Sequence, residues 1–125
     1  MKIEWKNSHK IGHPVIDEEH EQLFALARQL LDAPDQPSQQ KVVMQFYKHT
    51  RVHFANEEAL MKEIGYPAYR VHAEQHNRMI TLLNEISQSI SKGTPSQKAF
   101  EAWIDDWIIK HIEHEDARLV AYLQR

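Results

Sequence analysis

The chain has 125 residues and a formal net charge of −3, with 15 basic and 18 acidic side chains interspersed and no basic stripe that would suit a nucleic-acid partner. It has no cysteine, which excludes disulfides, thiolate metal sites and cysteine nucleophiles. No apolar run approaches the roughly 20 residues that span a bilayer, and the N-terminus lacks the apolar stretch of a secretion signal, so no membrane partner is expected and a soluble, cytoplasmic monomer is.

The 5 prolines and 3 glycines fall in four short stretches: Gly12-His13-Pro14, Pro34 to Pro37, Gly65-Tyr66-Pro67 and Gly93-Thr94-Pro95. These residues punctuate a sequence, and they leave four long segments at roughly 16–32, 38–64, 67–91 and 95–123. Residues 1–15, with Trp5 and Ile11, are expected to form an extended arm lying on the rest. The first segment carries Ile16, His20, Leu23, Ala27 and Leu30 at steps of three and four. The second carries Val43, Phe46, Thr50, His53, Glu57, Leu60 and Ile64. Gly65 then suits a helix C-terminal cap and Pro67 the start of the next helix. The third segment reads Tyr69, His72, His76, Met79, Leu83, Ile86 and Ile90. Gly93 ends it, Thr94 is placed to cap the fourth, and that one begins as Phe100, Ile104, Trp107 and His111.

Such steps mark the inward seam of a helix packed against others. No segment alternates with period two, so the expected fold is all-α. Short connections favour antiparallel neighbours and an up-down-up-down four-helix bundle.

Histidine is the commonest metal ligand, and 9 occur here. Five of them, His20, His53, His72, His76 and His111, interrupt the apolar seams, as does Glu57. A buried polar group needs a partner, and one shared cation would satisfy all six, whereas five independently satisfied core histidines would be a coincidence. His53 and Glu57 are four residues apart, as are His72 and His76, so each pair lies on one helix face. In an antiparallel bundle the six residues also fall at one end. The other histidines, His9, His13, His49 and His114, read as solvated, and so do the charges Glu18, Glu19, Glu21, Arg28, Lys48, Arg51 and Lys62.

The fourth segment slips in phase. Continued regularly, its seam would bring in Glu115 and Arg118, yet the apolar pattern resumes at Leu119, Val120 and Leu123 and puts Asp116 on the seam. In a regular helix His111 and Asp116 would point about 140° apart. A π-type turn within 111–116 would bring them together. Otherwise the helix stays regular and Glu115 is the ligand.

The stretches Ile16-Asp17-Glu18-Glu19-His20, His53-Phe54-Ala55-Asn56-Glu57-Glu58, His72-x-x-x-His76 and His111-Ile112-x-x-x-Asp116 together resemble the hemerythrin family. The arm with Trp5 and Gly12 resembles its bacterial branch. The resemblance spans essentially the whole chain as one domain. It implies two iron ions: His72, His76 and His111 on one, His20 and His53 on the other, and Glu57, Asp116 and an oxo or hydroxo group bridging them. It favours Asp116 over Glu115. It also implies reversible dioxygen binding, with an oxygen-using enzyme as a conceivable partner. Trp107 and Ile108, one turn before His111, are expected to line the oxygen pocket, with Phe24, Phe46, Phe54 and Ile112 around them. Two other functions fit the same site: a di-iron oxidoreductase acting on peroxide, nitric oxide or ferrous iron, and an oxygen or redox sensor.

Overall fold

The computed structural model of the chain describes residues 4–125, apart from the side chains of Ile108 and Ile109. Four antiparallel rods form an up-down-up-down bundle, and no strand occurs among the described residues. The first three rods are α1 (Pro14–Asp32), α2 (Gln36–Ile64) and α3 (Tyr69–Ser91). The fourth is built in three pieces: α4 (Gln97–Asp105), a π-helical stretch (Asp106–Asp116) and α5 (Ala117–Leu123).

The rods start where side chains satisfy the free N–H groups of a first turn. His13 Nδ1 accepts from the Ile16 N–H at 3.2 Å, and α1 begins at Pro14 rather than at 16. Asp35 Oδ1 accepts from Ser38 at 2.9 Å, and α2 begins at Gln36 rather than at 38. The other two rods start later than expected. Tyr66 N–H still bonds back to Met61 and Gly65 N–H to Lys62, so Pro67 lies in the turn and α3 opens at Tyr69. Thr94 does not cap the fourth rod. Its N–H and hydroxyl both donate to the Ser89 carbonyl, closing α3, and Ser96 takes the capping role by accepting from Ala99 at 3.1 Å.

The arm is not wholly extended. Asn7–His9 makes one 3-10 turn, which seats the His9 ring 5.8 Å from that of Trp5 and 5.1 Å from that of Phe24. His9 and His13 are therefore structural rather than merely solvated, whereas His49 and His114 are exposed.

Most expected seam residues are buried, but Leu60, Ile64, Tyr69 and Leu123 are only half so, and Met61 is fully buried in place of Leu60. Apolar side chains divide into a large cluster that includes Leu23, Phe46, Phe54, Leu83 and Trp107, and a small one of Met61, Tyr66 and Leu119. Along α2 a polar layer, with His53 and Glu57, lies between Phe46 and Met61. Along the fourth rod it lies between Trp107 and Leu119.

Candidate metal centre

That layer contains His20, His53, Glu57, His72, His76, His111 and Asp116, each at most 2% exposed. Helical spacing aims two residues inward from each of α2 and α3, and His20 comes from the second turn of α1. The fourth rod needs the π-helical stretch. When the hydrogen bonds close one residue further along, a residue five positions on returns to nearly the same face. His111 and Asp116 meet on that account, with His111 Nε2 3.1 Å from Asp116 Oδ1. The distortion runs through Asp106–Asp116 and is longer than the single turn expected. Glu115 stays on the flank, 3.8 Å from Arg118.

The seven side chains form two groups that share both carboxylates: Glu57, His72, His76, His111 and Asp116, and then His20, His53, Glu57 and Asp116. Glu57 Oε1 lies 3.0 Å from His72 Nε2 and 3.2 Å from His76 Nε2, while Glu57 Oε2 lies 3.1 Å from His53 Nε2. Asp116 Oδ1 lies 3.0 Å from His72 Nε2, and Asp116 Oδ2 lies 3.1 Å from His20 Nε2. Each carboxylate thus turns one oxygen to the three-histidine group and the other to the two-histidine group.

The protein's own hydrogen bonds do not satisfy this layer. His20 Nε2, His53 Nε2, Glu57 Oε2 and both Asp116 oxygens are buried without a hydrogen-bond partner. Leaving a buried polar atom unpaired costs about 1–3 kcal/mol, and a metal cation among them would satisfy these atoms together. Donor atoms 3.0–3.2 Å apart also match adjacent ligands on a six-coordinate ion with bonds of about 2.1 Å. The residues fit metal ions.

Electrostatics point the same way. Burial opposes ionisation of Glu57, but His53, His111 and His20 hold its pKa well below the usual carboxylate value. Burial and Glu57 likewise oppose ionisation of Asp116, and the His111 and His20 imidazoles outweigh them and pull its pKa down. The carboxylates return the favour. Burial acts against charge on His53, yet Glu57 and Glu19 raise it to about 10. His111 rises to about 10 against the same opposition, through Asp116 and Glu57. His76 goes the other way, because burial outweighs the pull of Glu57. The layer is a field that demands positive charge.

Two residues that the sequence reading assigned to solvated or unremarkable positions orient the imidazoles. His53 Nδ1 donates to Glu19 at 2.9 Å, and Asn56 steadies the other Glu19 oxygen at 3.0 Å. His76 Nδ1 donates to Glu58 at 3.0 Å. Both bonds leave Nε2 facing the centre, and such partners also make a ligand imidazole more basic. Glu19 thus has a specific role. In the sequence Glu19 and Glu58 each sit directly beside a candidate ligand, His20 and Glu57, but nothing else sets them apart from the surface charges.

Around the layer, Phe54 stacks on the His76 ring at 3.8 Å, and Trp107 meets His20 edge-on at 5.8 Å. Trp107 and Ile112 are fully buried. Phe46 lies deeper, against Phe100 and Trp103, and serves as core. The expected role of the Ile108 side chain lies outside the described residues.

The model of the hemerythrin HHE cation binding domain matches residues 12–123. Among curated proteins, a bacteriohemerythrin of Pseudomonas aeruginosa (strain UCBPP-PA14) is 27% identical over 119 residues, covering 93% of this chain and 78% of that protein. One from Campylobacter jejuni is 28% identical over 119 residues, covering 91% and 90% respectively. A myohemerythrin of Sipunculus nudus is 25% identical over 112 residues, covering 90% of this chain and 86% of its own length. With a family model matched over nearly its full length and a buried, cation-demanding layer of histidines and carboxylates, the chain belongs to the hemerythrin family of cation-binding domains.

Proposed function

We propose that this chain binds dioxygen reversibly at a non-heme di-iron centre. The observation that carries the reading is the split of both shared carboxylates, one oxygen toward three histidines and one toward two. His72, His76 and His111 would hold one iron, His20 and His53 the other, with Glu57, Asp116 and an oxo or hydroxo group in common. Three histidines would serve one iron and two the other, so the two-histidine iron would be the one left open to dioxygen. Two irons held there would supply the electrons that reversible dioxygen binding needs.

The side chains supply the rest. Five neutral imidazoles against two carboxylates leave fewer anionic donors than in carboxylate-rich di-iron bundles, which disfavours high-valent iron and so favours holding dioxygen over oxidising a substrate. Glu19 and Glu58 fix the aim of His53 and His76. Trp107 and Phe24, buried and packed 5.3 Å apart on the His20 side, would keep water and acid from that side of the site. The finer role we assign is a carrier or store supplying an oxygen-using enzyme.

Metal analysis with optical spectra tests this. Two irons per chain are expected, with a charge-transfer band that appears on adding dioxygen and disappears on removing it. Rapid irreversible oxidation, or one iron per chain at saturation, would sink the reading.

A further inference from the structure

Two of the candidate ligands take their bearing from the rod before them. Glu19 of α1 accepts from His53 of α2 at 2.9 Å, and Glu58 of α2 accepts from His76 of α3 at 3.0 Å. Each acceptor is the immediate sequence neighbour of an inward residue on its own helix, Glu19 before His20 and Glu58 after Glu57. The change from before to after follows from the topology. One residue turns a helix by about 100°, and antiparallel neighbours turn in opposite senses when viewed from one end of the bundle. The place that faces the next rod is therefore the residue before a ligand on α1 and α3, and the residue after one on α2 and the fourth rod.

On α3 that place, before His76, is Gln75, and the next rod carries His111. Gln75 and His111 line one cavity of about 380 Å³ between α3 and the fourth rod. Among the described side chains that line it, these two alone hold a buried polar atom without a hydrogen-bond partner: Gln75 Oε1, an acceptor, and His111 Nδ1. An imidazole that gives Nε2 to a metal ion keeps its remaining proton on Nδ1, which makes that nitrogen a donor. A buried donor and a buried acceptor, each costly to leave alone, thus stand at one wall.

We propose that Gln75 is a positioning residue: its Oε1 accepts the His111 Nδ1 proton and holds Nε2 on the metal ion. The proposal deepens the di-iron reading and rests on it, since it needs an ion on His111. Each rod after the first then carries a ligand braced by the rod before it. The braces do not close into a ring. The residues after His111 and Asp116 are Ile112 and Ala117, which offer no side-chain acceptor, and His20 Nδ1 has no hydrogen-bond partner among the described residues. Two neighbours are set aside on geometry. Glu115 lines the cavity too, but its carboxylate is partly exposed and leans on Arg118 at 3.8 Å. His72 Nδ1 is also unpartnered, but His72 does not line the cavity. The brace on His111 is the neutral one of the three. A carboxylate accepts a proton more strongly than an amide, so Gln75→Glu should strengthen what Gln75→Leu abolishes.

Nuclear magnetic resonance of the full chain loaded with zinc, which is diamagnetic, provides the test, with zinc retention measured by chelator competition. His111 Nδ1–H should give a slowly exchanging ring resonance. Gln75→Leu should abolish it, leave those of His53 and His76 in place and weaken zinc retention by about 10–100-fold. Gln75→Glu should keep the resonance, move it downfield and hold zinc at least as tightly as the unaltered chain. An unchanged His111 resonance in Gln75→Leu, its loss in Glu115→Gln, or loss of all three resonances together would overturn the proposal. So would retention in Gln75→Glu as weak as in Gln75→Leu. Iron content and the dioxygen spectrum separate the two ideas. A chain that holds two irons, binds dioxygen reversibly and keeps its His111 resonance in Gln75→Leu refutes the brace alone. One that shows the brace with zinc but no reversible dioxygen binding refutes the oxygen reading alone.

Discussion

Glu58 touches no candidate metal position, yet it decides where His76 points. Its carboxylate takes the Nδ1 proton at 3.0 Å and commits Nε2 to the centre. Glu58→Gln should weaken iron retention by about 10–100-fold, as loss of such a partner commonly does, and a competition titration against a chelator would show it. Unchanged retention would mean that packing against Phe54 alone orients the ring. The candidate ligands stood out in the sequence because each is a polar residue on an otherwise apolar seam. Glu19 and Glu58 did not, since each lies one step around its helix from a ligand, among charges that also solvate the surface. Their function depends on a neighbouring helix that no single segment reveals.

Protons compete with metal for the same nitrogens, and the sign of that competition follows from the raised histidines. In the metal-free chain His53 and His111 hold protons up to about pH 10, so iron uptake near neutral pH must displace protons and tighten as pH rises. A lightly buffered titration with ferrous iron should turn acidic. For the metal-free fold the linkage runs the other way. The stabilisation from these two histidines is complete below their ordinary value of 6.5 and is lost as pH rises through about 10. Glu57 and Asp116, with lowered pKa values, stabilise above their ordinary 4.5 and 3.8 and cease to do so as pH falls below. Thermal melts in chelator should therefore show a midpoint that declines from pH 6.5 toward 10, and the iron-loaded protein should not share the decline.

At the scale of elements, the π-helical stretch is what admits Asp116 rather than Glu115 to the centre. Asp116→Asn should drop iron below two per chain, whereas Glu115→Gln should leave it at two. The reverse result would mean that the fourth rod is regular. The phase slip was readable because apolar residues resume one place late. Its reach back to Asp106 was not, because Phe100, Ile104 and Trp107 keep ordinary helical spacing and give no sign of wider hydrogen bonding. Helix starts were off for a similar reason: His13, Asp35 and Ser96 compete for capping with residues of equal propensity nearby. Gly65 was placed correctly. It sits at φ 65°, ψ 42° with open space where a Cβ would go, so Gly65→Ala should cost about 1 kcal/mol from backbone strain rather than from a clash. A lowered denaturation midpoint with unchanged iron content would register it.

Taken whole, the bundle puts unlike materials end to end. The large apolar cluster holds α1, α2, α3 and α4 together without help from the metal layer. Leu83→Ala, at a fully buried position in it, should remove about 2–5 kcal/mol of stability while iron binding persists. The small cluster of Met61, Tyr66 and Leu119 is cut off from the large one by the seven polar side chains. Antiparallel topology was legible because the four breaks are short. This partition was not, because it is a property of depth along four rods at once.

It follows that ions held in this layer would act as a rivet for one end of the molecule. Stripped of them, the two carboxylates keep only protons for company, and the small cluster loses its stiff connection to the rest. Amide protons in the second half of α2, the first turns of α3 and the second half of the final rod should then exchange with deuterium much faster, while those around Phe46 and Leu83 keep their protection. The chain would fray from its metal end inward rather than come apart all at once.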